Sequence, residues 1–131
     1  MLIALDTNVL VRVFIDDNSS TDQVVAAREL AKRAAHIFVP QIVQVELAWV
    51  LSSAYRLKKS QILVILEHLQ SHSIFTLQNP LSFADALTLY KTGGADFSDY
   101  LIMIEAKRAH AEFYSFDRNL LKSGAGTVAK P

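Results

Sequence analysis

Short apolar runs punctuate this chain at wide intervals, and helical periodicity fills the gaps between them. The runs are Leu2-Ile3-Ala4-Leu5, Ile37-Phe38-Val39, Ile74-Phe75-Thr76-Leu77 and Phe113-Tyr114-Ser115-Phe116, with Thr127-Val128-Ala129 as a weaker fifth. Strands separated by helices need crossover connections, which are right-handed and give a parallel sheet with helices on both faces. The expected class is therefore α/β, a three-layer α/β/α arrangement around a central, mostly parallel sheet of four to five strands. The continuous first run reads as a strand covered on both faces. A sheet whose strands all point one way gathers their carboxyl ends on one edge, where open α/β sheets bind ligands. The first and fourth runs each end in an aspartate, Asp6 and Asp117.

Local signals place the helices. Asp6-Thr7-Asn8 offers N-cap chemistry for a short helix over Val9–Phe14. Asp16-Asp17-Asn18-Ser19-Ser20 is a polar turn. A helix starts after it, capped by Ser20, Thr21 or Asp22, with Val24, Ala27, Leu30 and Ala34 on its apolar face. Pro40 stops the second strand. Helices are predicted over 41–56 and 60–71, the latter capped by Ser60. Another runs from Pro80 to about Tyr90 before the loop Thr92-Gly93-Gly94. The last long helix covers 97–110, and a single turn covers 118–122.

Composition bounds the class. A chain of 131 residues with 51% hydrophobic content is expected to be one domain, 1–131, that buries about 65–70% of its unfolded surface. The absence of cysteine removes disulfides and thiolate metal sites and fits a cytoplasmic setting. Met1–Asp6 has no basic flank and meets an acid too early for a signal peptide. No apolar stretch approaches the ~20 residues that span a bilayer, so no membrane partner is expected. Thirteen acids balance thirteen bases, so a polyanion would have to be held by local basic patches and by metal.

Two further acids stand in unusual company. Glu46 has Ile42, Val43, Trp49 and Val50 at helical spacings of three and four, and Asp99 has Ala95, Ile102 and Met103. Asp96 is the polar companion of Asp99. Unpaired carboxylates on apolar faces need a cation, hydrogen bonds or a proton. Two carboxylates about 5 Å apart at an effective dielectric of about 20 repel by roughly 3 kcal/mol. A cluster of four would oppose much of the ~5–15 kcal/mol that holds a domain folded. A hard divalent cation removes that penalty, and all-oxygen ligands favour Mg²⁺ or Mn²⁺ over zinc. Arg12 and Arg118 are the nearest alternative counter-charges, and either would also suit a phosphate.

Leu5-Asp6-Thr7-Asn8-Val9-Leu10 resembles the opening motif of PIN-domain nucleases, especially VapC-type toxins of toxin–antitoxin pairs. Val45-Glu46-Leu47, Asp96-Phe97-Ser98-Asp99-Tyr100-Leu101-Ile102 and Ser115-Phe116-Asp117-Arg118 resemble the later motifs in the same order. Val128-Ala129-Lys130-Pro131 resembles the closing strand. The resemblance implies a PIN-like fold and a metal-dependent endoribonuclease that leaves a 5′-phosphate and a 3′-hydroxyl. It implies that Asp6, Glu46 and Asp99 hold Mg²⁺ or Mn²⁺, with Asp117 completing the acidic cluster or orienting water, and Asp96 as a further candidate. Thr7, Asn8 and Ser115 are expected to hydrogen-bond those carboxylates or the water. RNA as substrate, a small antitoxin as partner and homodimerisation follow from the same resemblance.

Plainer readings compete at each position. Asp6, Asp96 and Asp117 suit helix caps, Asp99 suits a helix N-terminus, and Glu46 suits a buried ion pair. His68 and His72 have a zinc-compatible spacing, but helix C-termini also favour histidine and no third ligand is evident. Lys58-Lys59 and Lys107-Arg108 suit either RNA phosphates or solvent. The apolar surplus around Trp49-Val50-Leu51 and Ile62–Leu69 suits either a core or a dimer face. A receiver-like phosphoacceptor domain predicts paired acids after the first strand and an acceptor after the third. Here Asp6 stands alone and Gln78-Asn79 follows the third run. A non-catalytic RNA- or protein-binding PIN domain predicts a missing acid, and none is missing.

Overall fold

The computed structural model describes residues 1–123 and 126–129. Lys130 and Pro131 of the expected closing segment lie outside the described residues. The chain divides into two compact units, Met1–Gln78 and Asn79–Pro131.

The first unit carries β1 (Leu2–Ala4), α1 (Thr7–Phe14), α2 (Thr21–Arg33), β2 (His36–Val39), α3 (Gln41–Ser53), α4 (Lys59–Ser71) and β3 (Phe75–Leu77). The strands pair parallel in the order β1-β2-β3, with Ile3 opposite Ile37 and Phe38 opposite Thr76. The helix α1 packs against α2 and α3, and α4 against α3 and β3. Leu10, Leu47, Leu51, Leu66 and Leu69 are wholly buried.

The run expected to be covered on both faces is not. Within this sheet β1 is an edge strand, with Leu2 58% exposed and Ile3 half-buried. The central strand is β2, whose Ile37 and Val39 are buried on one face while Phe38 on the other is half-buried. Apolar content marks a strand, but pairing order decides which strand is central. Helix α4 starts one residue before the expected span and is capped by Lys58 rather than Ser60. The Gln61 side chain reaches back to accept the Lys58 N–H at 2.9 Å, which satisfies the helix entry without a hydroxyl. Helix α3 stops at Ser53, short of Arg56, which takes a left-handed φ of 53°.

The second unit carries α5 (Pro80–Thr92), α6 (Phe97–Arg108), β4 (Tyr114–Ser115), α7 (Arg118–Leu121) and β5 (Thr127–Val128). Helices α5 and α6 pack on each other through edge-to-face rings, Phe83–Phe97 at 5.3 Å and Tyr90–Phe97 at 5.9 Å. The pair β4-β5 is parallel, with Tyr114 opposite Thr127. All five expected strands are therefore present and paired parallel, three in the first unit's sheet and two in the second's. Helix α6 ends two residues before His110, whose φ of 55° breaks the helical path.

Candidate metal centre

In the first unit the expected residues meet through Thr7. Asp6 leaves the carboxyl end of β1 and caps α1, its Oδ1 accepting the Val9 N–H at 3.0 Å. The next residue, Thr7, is buried, and its hydroxyl donates to Glu46 Oε1 at 3.1 Å across 39 positions of sequence. That bond fastens α3 to the start of α1 and brings Glu46 beside the residue that follows Asp6. Asn8 takes part through its backbone, its carbonyl accepting from Arg12 at 2.8 Å.

In the second unit three acids stand at the starts of α6 and α7. Asp96 occupies the N-cap of α6 but makes no side-chain cap hydrogen bond. Asp99 is half-buried one turn later. Burial is the first cause that pushes its carboxyl above the usual carboxylate range. The negative charges of Asp96 and Asp117 push it further, and a backbone hydrogen bond from Asp96 pulls it back. Asp117 caps α7 through Oδ1, which accepts from the Asn119 and Leu120 amides at 2.9 and 3.2 Å. Ser115 Oγ in turn accepts the Asp117 N–H at 3.0 Å and fixes the turn that carries it.

The premise that these acids sit where an acid is costly needs correction. Asp6, Glu46 and Asp117 are exposed, and Asp99 alone is half-buried. The buried face of α3 runs through Val43, Gln44, Leu47, Ala48 and Leu51. Ile42 and Trp49, which made the Glu46 face look internal, are 69% and 67% exposed. Helical spacing groups residues on one face but does not say whether that face is covered. Among the described residues, no group of three or more His, Asp or Glu side chains stands close enough to hold an ion.

Other side chains have different work from that expected. The Arg12 guanidinium bonds Ser20 Oγ at 3.2 Å and lies 3.8 Å from Asp17, so it secures the α1–α2 turn. Tyr55 donates to Asp17 at 2.9 Å. Ser19 first and Tyr55 second lower the Asp17 carboxyl to about 2, while burial and then Asp17 raise the Tyr55 phenol. His68 and His72 lie 5.0 Å apart in a ring cluster with Phe14 and Phe75. His72 Nδ1 accepts the Ile74 N–H at 3.2 Å. A neutral imidazole bonded that way carries its proton on Nε2, which leaves no lone pair there for zinc.

Sequence reasoning passed over Gln44 altogether. It is wholly buried, and its Nε2 donates to the carbonyls of Val39 at 3.1 Å and Gln78 at 2.9 Å. It thereby joins the ends of β2 and β3. A polar residue on an otherwise apolar helix face was the available signal.

The PIN domain family model matches residues 3–125. The chain is also 27% identical over 126 residues to a protein named VapC ribonuclease from Aquifex aeolicus (strain VF5), covering 95% of this chain and 93% of that one. The match supports the α/β class read from the alternating runs and leaves the receiver-like alternative without support. The chain belongs to the PIN domain family.

Proposed function

We propose that this protein is a divalent-metal-dependent endoribonuclease and the toxin of a VapBC-type toxin–antitoxin pair. The observation that carries this reading is the placement of Asp96, Asp99 and Asp117 at the starts of α6 and α7, where the charges of Asp96 and Asp117 bear on the half-buried Asp99 carboxyl. Like charges set against one another around a half-buried carboxyl are what a hard cation would relieve. The donor set is all oxygen, as Mg²⁺ or Mn²⁺ prefers. Asp6 and Asp117 each use Oδ1 for capping, and their Oδ2 atoms make no hydrogen bond among the described residues. By family likeness the candidate ligands are Asp6 and Glu46 of the first unit and Asp99 and Asp117 of the second, with Asp96 as a further one. When bound, such an ion lowers the pKa of coordinated water and stabilises charge on the phosphate.

The chain's own residues prepare the site. Thr7 fixes one Glu46 oxygen and leaves the other open. Ser115 and the α7 amides fix Asp117. By family likeness, hydrolysis leaves a 5′-phosphate and a 3′-hydroxyl. The family match runs across both compact units, which supports their acting as one domain. The VapC relative supports RNA as the substrate and a small antitoxin as the partner. Exposed Ile42 and Trp49 on α3 and Val64 on α4 support a homodimer. Among the described residues no helix is long and apolar enough to cross a membrane, in keeping with a cytoplasmic site of action.

The test is cleavage of total cellular RNA by purified protein with Mg²⁺ or Mn²⁺, beside Asp6→Asn and Asp99→Asn. Loss of cleavage in both variants is expected. Equal cleavage by wild type and both variants would overturn the mechanism.

A further inference from the structure

Burial alternates along the chain that leads to Asp117. Phe113 and Ser115 are half-buried, while Tyr114 and Phe116 are 57% and 70% exposed. Two aromatic rings therefore face solvent directly before an acid whose charge reaches Asp99. Their backbone is pinned. Tyr114 pairs with Thr127 of β5, and the Ser115 hydroxyl holds the Asp117 amide. The Tyr114 hydroxyl donates to Glu112 at 3.0 Å, which fixes the ring by its edge and leaves its face open.

Exposed cations stand beside the rings. Tyr114 lines a cavity of about 420 Å³ together with Lys107. Lys107, Arg118 and Lys122 are exposed and make no ion pair among the described residues. Of the acids nearby, Glu112 accepts from Tyr114 and one oxygen of Asp117 accepts from the α7 amides. Asp96 and Asp99 belong to the candidate metal centre, whose cation would offset their charge. Open aromatic faces among unpaired cations suit a polyanion with flat groups. Protein interfaces share the enrichment in Tyr, Phe and Arg but are depleted in lysine, so the lysines favour a nucleic acid here.

We infer that Tyr114 and Phe116 form a stacking platform for unpaired bases of single-stranded RNA, with Lys107 and Arg118 receiving the flanking phosphates. This rests on the nuclease reading for its substrate, and it adds a means of positioning. Stacking accepts any base and demands that the base be unpaired, so the platform selects for loops and single strands over duplex. Tyr114 and Phe116 are positioning residues that act through the strand they hold.

The experiment uses the full chain, with Tyr114→Leu and Phe116→Leu, which keep apolar bulk and remove the ring faces, and Phe116→Tyr, which keeps a ring. A single-stranded oligoribonucleotide containing 2-aminopurine reports stacking by fluorescence quenching, and thermal melts followed by circular dichroism confirm folding. Each Leu variant is expected to weaken binding about tenfold and lose the quench, raising KM with little change in kcat, while Phe116→Tyr restores both. Lys107→Met is expected to flatten the salt dependence by about 0.7 in log–log slope. Wild-type quenching and KM in the folded Leu variants would overturn the platform and leave the nuclease reading intact. Quenching that depends on the rings in a protein that cleaves no RNA would sink the nuclease reading and keep the platform. Leu variants that bind RNA normally but change self-association or partner binding would make this face a protein interface and overturn the proposal.

Discussion

Gly93 is a backbone position in the second unit where a side chain has no room. It closes α5, its N–H bonding the Leu89 carbonyl at 2.9 Å. A Cβ built there would overlap the Tyr100 hydroxyl, come within 2.5 Å of the ring carbon Cζ, and sit 3.0 Å from the Leu89 carbonyl oxygen. Tyr100 has no easy retreat. It is wholly buried in α6, and its hydroxyl accepts the Ala95 N–H at 3.2 Å. Overpacking of this kind costs about 1–3 kcal/mol, and opening the hydrogen bond adds about 1 kcal/mol. Gly93→Ala is therefore expected to lower stability by about 2–4 kcal/mol. Urea unfolding followed by circular dichroism measures this in wild type, Gly93→Ala, Tyr100→Phe and the double variant. Removing the hydroxyl alone should cost about 1 kcal/mol. In the Gly93→Ala background it also removes the overlapping atom, so it should cost less or stabilise, giving a coupling of about 1–2 kcal/mol. A Gly93→Ala loss below about 0.5 kcal/mol, or additive single effects, would refute the steric argument.

Three further outcomes are expected. Asp6→Asn should abolish RNA cleavage yet melt within a few degrees of wild type, because Asn caps a helix about as well as Asp; Asp6→Ala should lose cleavage and about 1 kcal/mol of stability in the same melts. Gln44→Leu should destabilise the protein by no more than about 1 kcal/mol in urea titrations, since the donor lost to the Gln78 carbonyl is offset by removal of Gln44 Oε1, a buried acceptor without a partner among the described residues, and the Val39 carbonyl keeps the Gln78 N–H at 3.0 Å. Asp17, lowered to about 2 from 3.8, contributes stability that is fully present above its unfolded value and lost as pH falls through the folded one. Acid unfolding of wild type against Tyr55→Phe should show their stability difference shrinking between pH 4 and 2, and a constant difference across that window would refute the assignment.

The parts legible in the sequence were those fixed within a few residues. The cap chemistry at Asp6-Thr7-Asn8, the strand stop at Pro40 and the helix start beside Asp96 each rest on local backbone preference, and each element lies near its expected place. Exposure was not legible. Ile42 and Trp49 share a helix face with Glu46, and only the packing of α3 reveals that this face is open. Partners distant in the chain were hidden for the same reason. Nothing near Asp17 in the turn announces Tyr55, and nothing near Gln44 announces the Gln78 carbonyl. The Thr7–Glu46 bond joins two motifs that the sequence could order along the chain without showing how they meet.

The caps at α1 and α7 have a genetic consequence. Asp6 and Asp117 use one oxygen each to start a helix, and asparagine supplies an equivalent oxygen. A single-base change converts an aspartate codon to an asparagine codon. Cells under selection to escape the proposed toxin can therefore silence it without losing the protein. The escaped product would still fold and, on the proposed function, would still be available to an antitoxin. Such alleles would persist as decoys rather than disappear as misfolded chains, and a genome could carry them without any visible break in the reading frame.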